Sequence, residues 1–328
     1  ALFFPPKRRL RPRSGPRRKA GPPANFMHKN IEKRVAVCYN CSMQKVAVRS
    51  YAKINLSLDI TGARGGYHSI DSVVASINIC DEITAAPRSD GRVCVAMCGM
   101  GSEDIPPEKN NAVKAAERFI GRFGTCGADI AIKKNIPVGA GLGGSSADVA
   151  GVLNALAKLY GVTDGAGLKA IADELGSDCG YMLRGGFARM TGRGERVCPI
   201  NFGGRFYLIL LLPGEGVSTA RCYALSDVYP EKRHTSAAVH SAICGGQPQK
   251  VGALLSNGLY PAAVVINPSV REAFDGLLSL GADGVNMTGS GSGVYALFCD
   301  RDARDSALKK YRGAFPAVAA HTLVPEEE

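Results

Sequence analysis

The sequence predicts an α+β fold. Three observations point to it: segments of strict two-residue apolar alternation, segments of helical apolar spacing, and glycine-rich turns between them. The chain has 328 residues, a length that suggests two domains, and it is 45% hydrophobic, enough to bury a sizeable core. Residues 46–60 open the folded part. Ile54, Leu56, Leu58 and Ile60 alternate there with Asn55, Ser57 and Asp59, the period of a half-buried strand. A glycine-rich turn over 61–68 leads to a second strand near 72–79 and a third near 92–97. Over 111–123, Val113, Ala116, Phe119, Ile120 and Phe123 share one helical face. A short strand at 128–133 is closed by Pro137. Val149, Val152, Leu153, Leu156, Leu159 and Tyr160 then predict a helix that starts around 146–148 and ends at Gly161. A second helix, 167–175, ends at Gly176, and the apolar run 205–212 reads as a buried strand. Strands and helices alternate beyond it to a second glycine-rich turn at 288–293, and no repeat of fixed period is present.

Charge is unevenly spread. The formal net charge of +11 invites a polyanion partner, but residues 1–42 hold eleven of the 40 Lys and Arg and one acid, Glu32. The rest of the chain is close to neutral, so the basicity belongs to a Pro-, Arg- and Gly-rich segment expected to be disordered. Three readings compete for it: a transit peptide, which would place the protein in a plastid, a nucleic-acid arm, and sequence upstream of a start at Met43. The third is preferred, with a cytoplasmic protein and no nucleic-acid partner. No run of 18 apolar residues or secretory h-region occurs, so no membrane partner is expected. The eleven cysteines are scattered, and Cys38-x-x-Cys41 lacks a second pair at zinc spacing, so unpaired thiols and no metal site are expected.

The densest feature is the loop Pro137, Val138, Gly139, Ala140, Gly141, Leu142, Gly143, Gly144, Ser145, Ser146, directly before a helix. Glycines let backbone approach a ligand, and the unpaired N–H groups of a first helical turn attract anions. The loop therefore reads as a phosphate cradle, against the alternative of an ordinary helix start. No Lys stands where a P-loop requires it. Gly139-x-Gly141-x-x-Gly144 fits the dinucleotide pattern, but the helix after it runs into another helix instead of a strand.

The loop resembles the nucleotide loop of the GHMP kinases. Ala52-Lys53-Ile54-Asn55-Leu56 with Gly66-Tyr67-His68, Leu175 to Asp178 with Gly192-x-Gly194-Glu195, and Asn286 to Gly293 match further motifs of that family in order. They narrow the resemblance to its branch acting on a cytidine diphosphate-linked methylerythritol. Departures exist: Tyr51 stands where Pro is usual, the turn before Tyr67 is one residue short, and Gly180 replaces a usual Pro.

The resemblance implies a two-domain GHMP kinase fold. An N-terminal domain over 43–200 resembles ribosomal protein S5 domain 2, and a ferredoxin-like C-terminal domain covers 201–328. It implies ATP and Mg²⁺ as cofactors, the metal held mainly by phosphates, and transfer to the 2-hydroxyl of the polyol in isoprenoid precursor synthesis. Asp178 would be the catalytic base and Lys53 its cationic partner. Asn111 and Lys134 join the loop on the ATP side, while Asn55, Tyr67, His68, Thr219 and Tyr223 contact the acceptor and its base. Asp148 is read as serving the helix N-terminus. A monomer or weak homodimer is expected. A homoserine- or mevalonate-type GHMP kinase, or an inactive binding protein on the same fold, remains the alternative.

Overall fold

A computed structural model describes residues 45–102 and 110–324. The readings of the basic segment, of Met43 as a start and of the Cys38/Cys41 pair lie outside the described residues. Among the described residues, eleven strands form two sheets. The first contains β1 (Val46–Arg64), β2 (Tyr67–Arg88), β3 (Val93–Gly99), β4 (Gly127–Lys134), β5 (Phe187–Gly192), β6 (Arg196–Ile200) and the two-residue β8 (Ser256–Asn257). The second contains β7 (Tyr207–Leu211), β9 (Gly284–Met287), β10 (Val294–Phe298) and β11 (Ala317–His321). The helices, in chain order, are α1 (Asn111–Phe123), α2 (Gly144–Tyr160), α3 (Gly165–Leu175), α4 (Cys179–Met182), α5 (Thr219–Ser226), α6 (Ser236–Cys244), α7 (Val251–Leu254), α8 (Tyr260–Ile266), α9 (Ser269–Leu278) and α10 (Arg301–Lys310).

The β1/β2 hairpin is the spine of the first sheet. Its strands are far longer than the alternation suggests, because the glycine turn shrinks to Gly65-Gly66 and pairing resumes at Arg64/Tyr67. Register shifts after Tyr51, Asn55 and Ile60 interrupt the two-residue pattern without ending the strand. β2 serves two neighbours with different halves: Ile70–Ala75 pairs with β5, and Glu82–Arg88 pairs with β4. The second sheet has order β11-β7-β10-β9, antiparallel throughout. With α9 before β9 and α10 before β11, it has the ferredoxin-like arrangement. The two sheets are linked directly. β8 pairs in parallel with Ser57 and Leu58 of β1, and Thr322 bridges Ile77 of β2.

The helical readings hold with shifted faces. Asn110 caps α1 by accepting from the Ala112 N–H, and Gly124 ends it in the left-handed region. Its buried residues are Ala112, Ala115, Ala116 and Phe119, whereas Val113 and Ile120 sit at the margin. α2 begins at Gly144, two residues before the expected start, and closes at Gly161. It is buried nearly all round because it lies on β1 and β2 and under α1 and α3. Among the described cysteines, Cys126 is disulfide-bonded, which corrects the expectation of unpaired thiols throughout. No helix of the described residues is long and apolar enough to cross a membrane.

Gly151 lets α2 seat on the sheet. A Cβ there would stand 2.5 Å from Ile83 Cδ1 and 2.9 Å from Ser50 Cβ, both on the strands beneath. Gly151→Val should therefore overpack this contact and cost about 1–3 kcal/mol, read as a lower urea midpoint at unchanged m-value.

Candidate active site

Two cavities meet at the glycine loop. The smaller, about 580 Å³, is lined by Asn110, Asn111, Lys134 and residues 136–145, with Asp148 at its base. The larger, about 1960 Å³, is lined by Lys53, Asn55, Tyr67, His68, Ser146, Asp178, Thr219 and Tyr223, among others. Gly141 and Gly143 border both. Every residue expected at a site from the sequence lines one of these two cavities.

Backbone hydrogen bonds fix the loop. The Lys53 N–H donates to Leu142 O at 3.0 Å, tying the loop to β1. The Ser292 and Gly293 N–H groups donate to Gly139 O and Ala140 O, each at 3.2 Å, and the Thr288 hydroxyl donates to Gly141 O at 3.2 Å. The second glycine-rich turn thus forms a wall of the first. Gly141 (φ +71°) has no room for a side chain, since a Cβ would fall onto the Thr288 carbonyl oxygen. Gly143 (φ +77°) is the N-cap of α2, where a Cβ would collide with Met182 Cε. No side chain caps that helix, and geometry leaves the N–H groups of Gly144, Ser145 and Ser146 without intrahelical acceptors.

Lys53 and Asp178 come together from distant segments. Lys53 Nζ lies 3.5 Å from Asp178 Oδ2, and the side chains are 6% and 33% exposed. The ammonium also donates to Asn55 Oδ1 at 2.6 Å. Asp178 sits at the N-terminus of the single-turn α4, just after α3 stops at Gly176. Asn55 is buried and its amide is engaged at both ends: Oδ1 accepts from Lys53 Nζ and from the Gly289 N–H at 2.9 Å, while Nδ2 donates to Ser72 Oγ at 2.9 Å. It ties the cation to the second glycine-rich turn.

Lys134 lies beneath the loop, 2% exposed, with its ammonium between Asp81 and Asp148 and the Gly144 carbonyl 3.4 Å away. The Lys134–Asp148 contact is 2.7 Å, and Asp81 Oδ1 accepts from the Asn135 and Ile136 N–H groups. Its charge is thus spent on bracing the loop from below. Asp148 meets Lys134 and carries one oxygen, Oδ1, with no partner. Burial raises its pKa to about 7; the nearby Lys134 opposes that rise and Asp81 adds to it.

In the larger cavity, His68 Nε2 is 2.9 Å from Asp227 Oδ1, and its ring stacks on Tyr223 at 5.2 Å. Tyr67 is 61% exposed and carries the Arg193 guanidinium over its ring at 4.5 Å. Thr219 opens α5 and its hydroxyl is 3.0 Å from Ser290 Oγ. Sequence reasoning missed Asp227, Arg193, Ser177 and Ser290. Ser290 could have been found from the second glycine-rich turn. Arg193 stood inside the Gly192-x-Gly194-Glu195 motif, but nothing in the sequence marked Asp227.

Known proteins match this chain over most of its length, and two family models match within it. Residues 110–188 match the model of the GHMP kinases N terminal domain, and residues 239–317 match that of the GHMP kinases C terminal. A 4-diphosphocytidyl-2-C-methyl-D-erythritol kinase from Pelotomaculum thermopropionicum is 38% identical over 271 residues, 80% of this chain and 92% of the relative. A crystal structure of 4-(cytidine 5'-diphospho)-2C-methyl-D-erythritol kinase superposes with a TM-score of 0.70 at 29% identity, covering 84% of this chain and 98% of that one. A homoserine kinase from Cytophaga hutchinsonii shares the fold, with a TM-score of 0.67 at 19% identity over 86% of this chain and 96% of its own.

The raised pKa of Asp148 has a signed consequence. From the ordinary carboxylate value of 3.8 up to about 7, the folded protein holds a proton there that the unfolded chain has released. Stability from this group is therefore present at acid pH and lost as pH rises through that window. Asp148→Asn should remove the loss, so the melting temperature of the variant relative to wild type should climb between pH 4.5 and 7.5. A flat difference would show that Asp148 is ionised throughout.

Proposed function

The chain belongs to the 4-diphosphocytidyl-2-C-methyl-D-erythritol kinase family of the GHMP kinases, and from that premise we infer its reaction. It transfers the γ-phosphoryl group of ATP to the 2-hydroxyl of 4-diphosphocytidyl-2-C-methyl-D-erythritol, in the non-mevalonate (MEP) route to isoprenoid precursors. The observation that carries the site assignment is the seam: Gly141 and Gly143 wall both cavities, with Lys53 and Asp178 on the acceptor side of it. A phosphoryl group held by the loop is thereby presented to a hydroxyl beside Asp178.

The roles follow from this placement. The N–H groups at the start of α2, with the helix dipole behind them, bind the nucleotide phosphates. Asn111, Pro137 and Val138 line the nucleoside end, while Lys134 sets the loop from beneath. Asp178 accepts the proton of the 2-hydroxyl as its oxygen bonds to the γ-phosphorus and the bond to the β-phosphate oxygen breaks, leaving ADP. The Lys53 ammonium, fixed by Asn55, offsets charge on the transferred group and holds the carboxylate in place. Tyr67 and Tyr223 offer aromatic faces to the cytosine, and His68, oriented by Asp227, offers its polar edge.

Among the described residues no three His, Cys, Asp or Glu side chains cluster to hold a metal. The hydroxyls of Ser145 and Ser146 line the two cavities and would help hold Mg²⁺ brought in with ATP, where it would supply charge neutralisation. We assign the nucleotide half to 43–200 and the rest of the acceptor wall to 201–328, supported by the two sheets, and place the protein in the cytoplasm as a monomer or weak homodimer.

Asp178→Asn should lower turnover by about two to four orders of magnitude while ATP affinity stays within about twofold, measured by steady-state kinetics and nucleotide titration. Near-normal turnover would remove Asp178 as the base. A panel of the cytidylated polyol, homoserine and mevalonate tests the acceptor: phosphorylation of either of the latter in preference would overturn the assignment.

A further inference from the structure

We propose that Arg193 binds the diphosphate of the acceptor and makes this protein prefer a nucleoside diphosphate-linked substrate over an uncharged nucleoside. The proposal rests on the acceptor assignment above and adds a residue to it. Such an acceptor brings its charge into a cavity that already holds the carboxylates of Asp178 and Asp227. Two permanent cations line that cavity among the described residues, Lys53 and Arg193. Lys53 is committed: it is almost wholly buried, bonded to Asn55 and drawn to Asp178 at the reacting end. Arg193 is exposed, and no ion pair within 4 Å ties its guanidinium among the described residues, although Glu195 feels its charge.

The turn around Arg193 holds it there. Gly192 (φ +74°) and Gly194 (φ +110°) flank it in the β5–β6 hairpin, whose last paired residues are Thr191 and Arg196. The Glu195 carboxylate accepts from the Arg193 backbone N–H at 2.6 Å, which fixes the turn and leaves the side chain untouched. A Cβ on Gly194 would lie 3.4 Å from Ser177 Cβ, so the turn packs against the residue preceding Asp178. On its other side the guanidinium stacks over Tyr67. Stacking uses the face of the planar group and leaves its N–H edges free to bind two phosphate oxygens at once. Arg193 thus stands between the aromatic residues that take the base and the acid that takes the hydroxyl proton. In the acceptor, the diphosphate joins those same two ends.

The test compares cytidine, CMP and CDP as ligands of wild type, Arg193→Gln and Arg193→Lys by calorimetry, alongside kinetics with the full acceptor. Wild type should bind CDP more tightly than cytidine. In Arg193→Gln the CDP affinity and the acceptor KM should worsen by about tenfold or more, with cytidine affinity and ATP KM little changed, and Arg193→Lys should fall between. Equal weakening of cytidine and CDP would mean that Arg193 only braces Tyr67, and would overturn the proposal. Unchanged CDP binding in Arg193→Gln, with wild type turning over the acceptor, would overturn it while leaving the acceptor assignment standing. A wild-type protein that neither binds CDP nor phosphorylates the acceptor would overturn both.

Discussion

The interlock of two glycine-rich turns with one strand is the constraint on which the rest depends. Backbone hydrogen bonds from Lys53, Ser292 and Gly293 hold the first loop, and the Thr288 hydroxyl adds a fourth. Such close approach of three main-chain segments leaves no space for side chains, as the positions of Gly141 and Gly289 against Thr288 and Gly141 O demonstrate. The loop is therefore rigid because its neighbours occupy the space its side chains would need. A preorganised cradle spends no binding energy on ordering itself when an anion arrives.

Two buried polar networks extend that interlock in opposite directions. Above the loop, Asn55 joins Lys53, Ser72 and Gly289 through both its amide oxygen and its amide nitrogen. Below it, Lys134 joins Asp81, Asp148 and Gly144 O, with one carboxylate oxygen left over. The leftover acceptor keeps a desolvation cost, and burial raises the pKa of Asp148 accordingly. The two lysines accordingly differ in kind. Lys53 borders the larger cavity, and Lys134 is buried beneath the loop.

Much of this was legible in the chain because local patterns carried it. The alternation of Ile54 to Ile60, the helix end at Gly161, and the glycine loop all follow from short-range chemistry. The full reach of β1 and β2 was hidden, because register shifts break the alternation and pairing with β4 and β5 sustains the strand instead. The resemblance put Lys134 on the nucleotide side, but its pairing with Asp81 and Asp148, 53 and 14 residues away, could not be read from spacing. Asp227 and Arg193 carried no motif weight of their own; folding alone sets one against His68 and the other over Tyr67. The family resemblance supplied Asp178 and Lys53, which composition and spacing could not have paired.

The wall that Thr288 provides for Gly141 lies 147 residues downstream of it. Contacts so far apart in the chain close late, since the loop between them must first be ordered. During synthesis the ribosome releases the whole glycine loop, its helix and both members of the Lys53–Asp178 pair well before that wall exists. A nascent chain of that length has the nucleotide motif without the nucleotide cradle. The loop gains its wall only once β9 and β10 have emerged and paired, while the last strand of that sheet, β11, is still to be made.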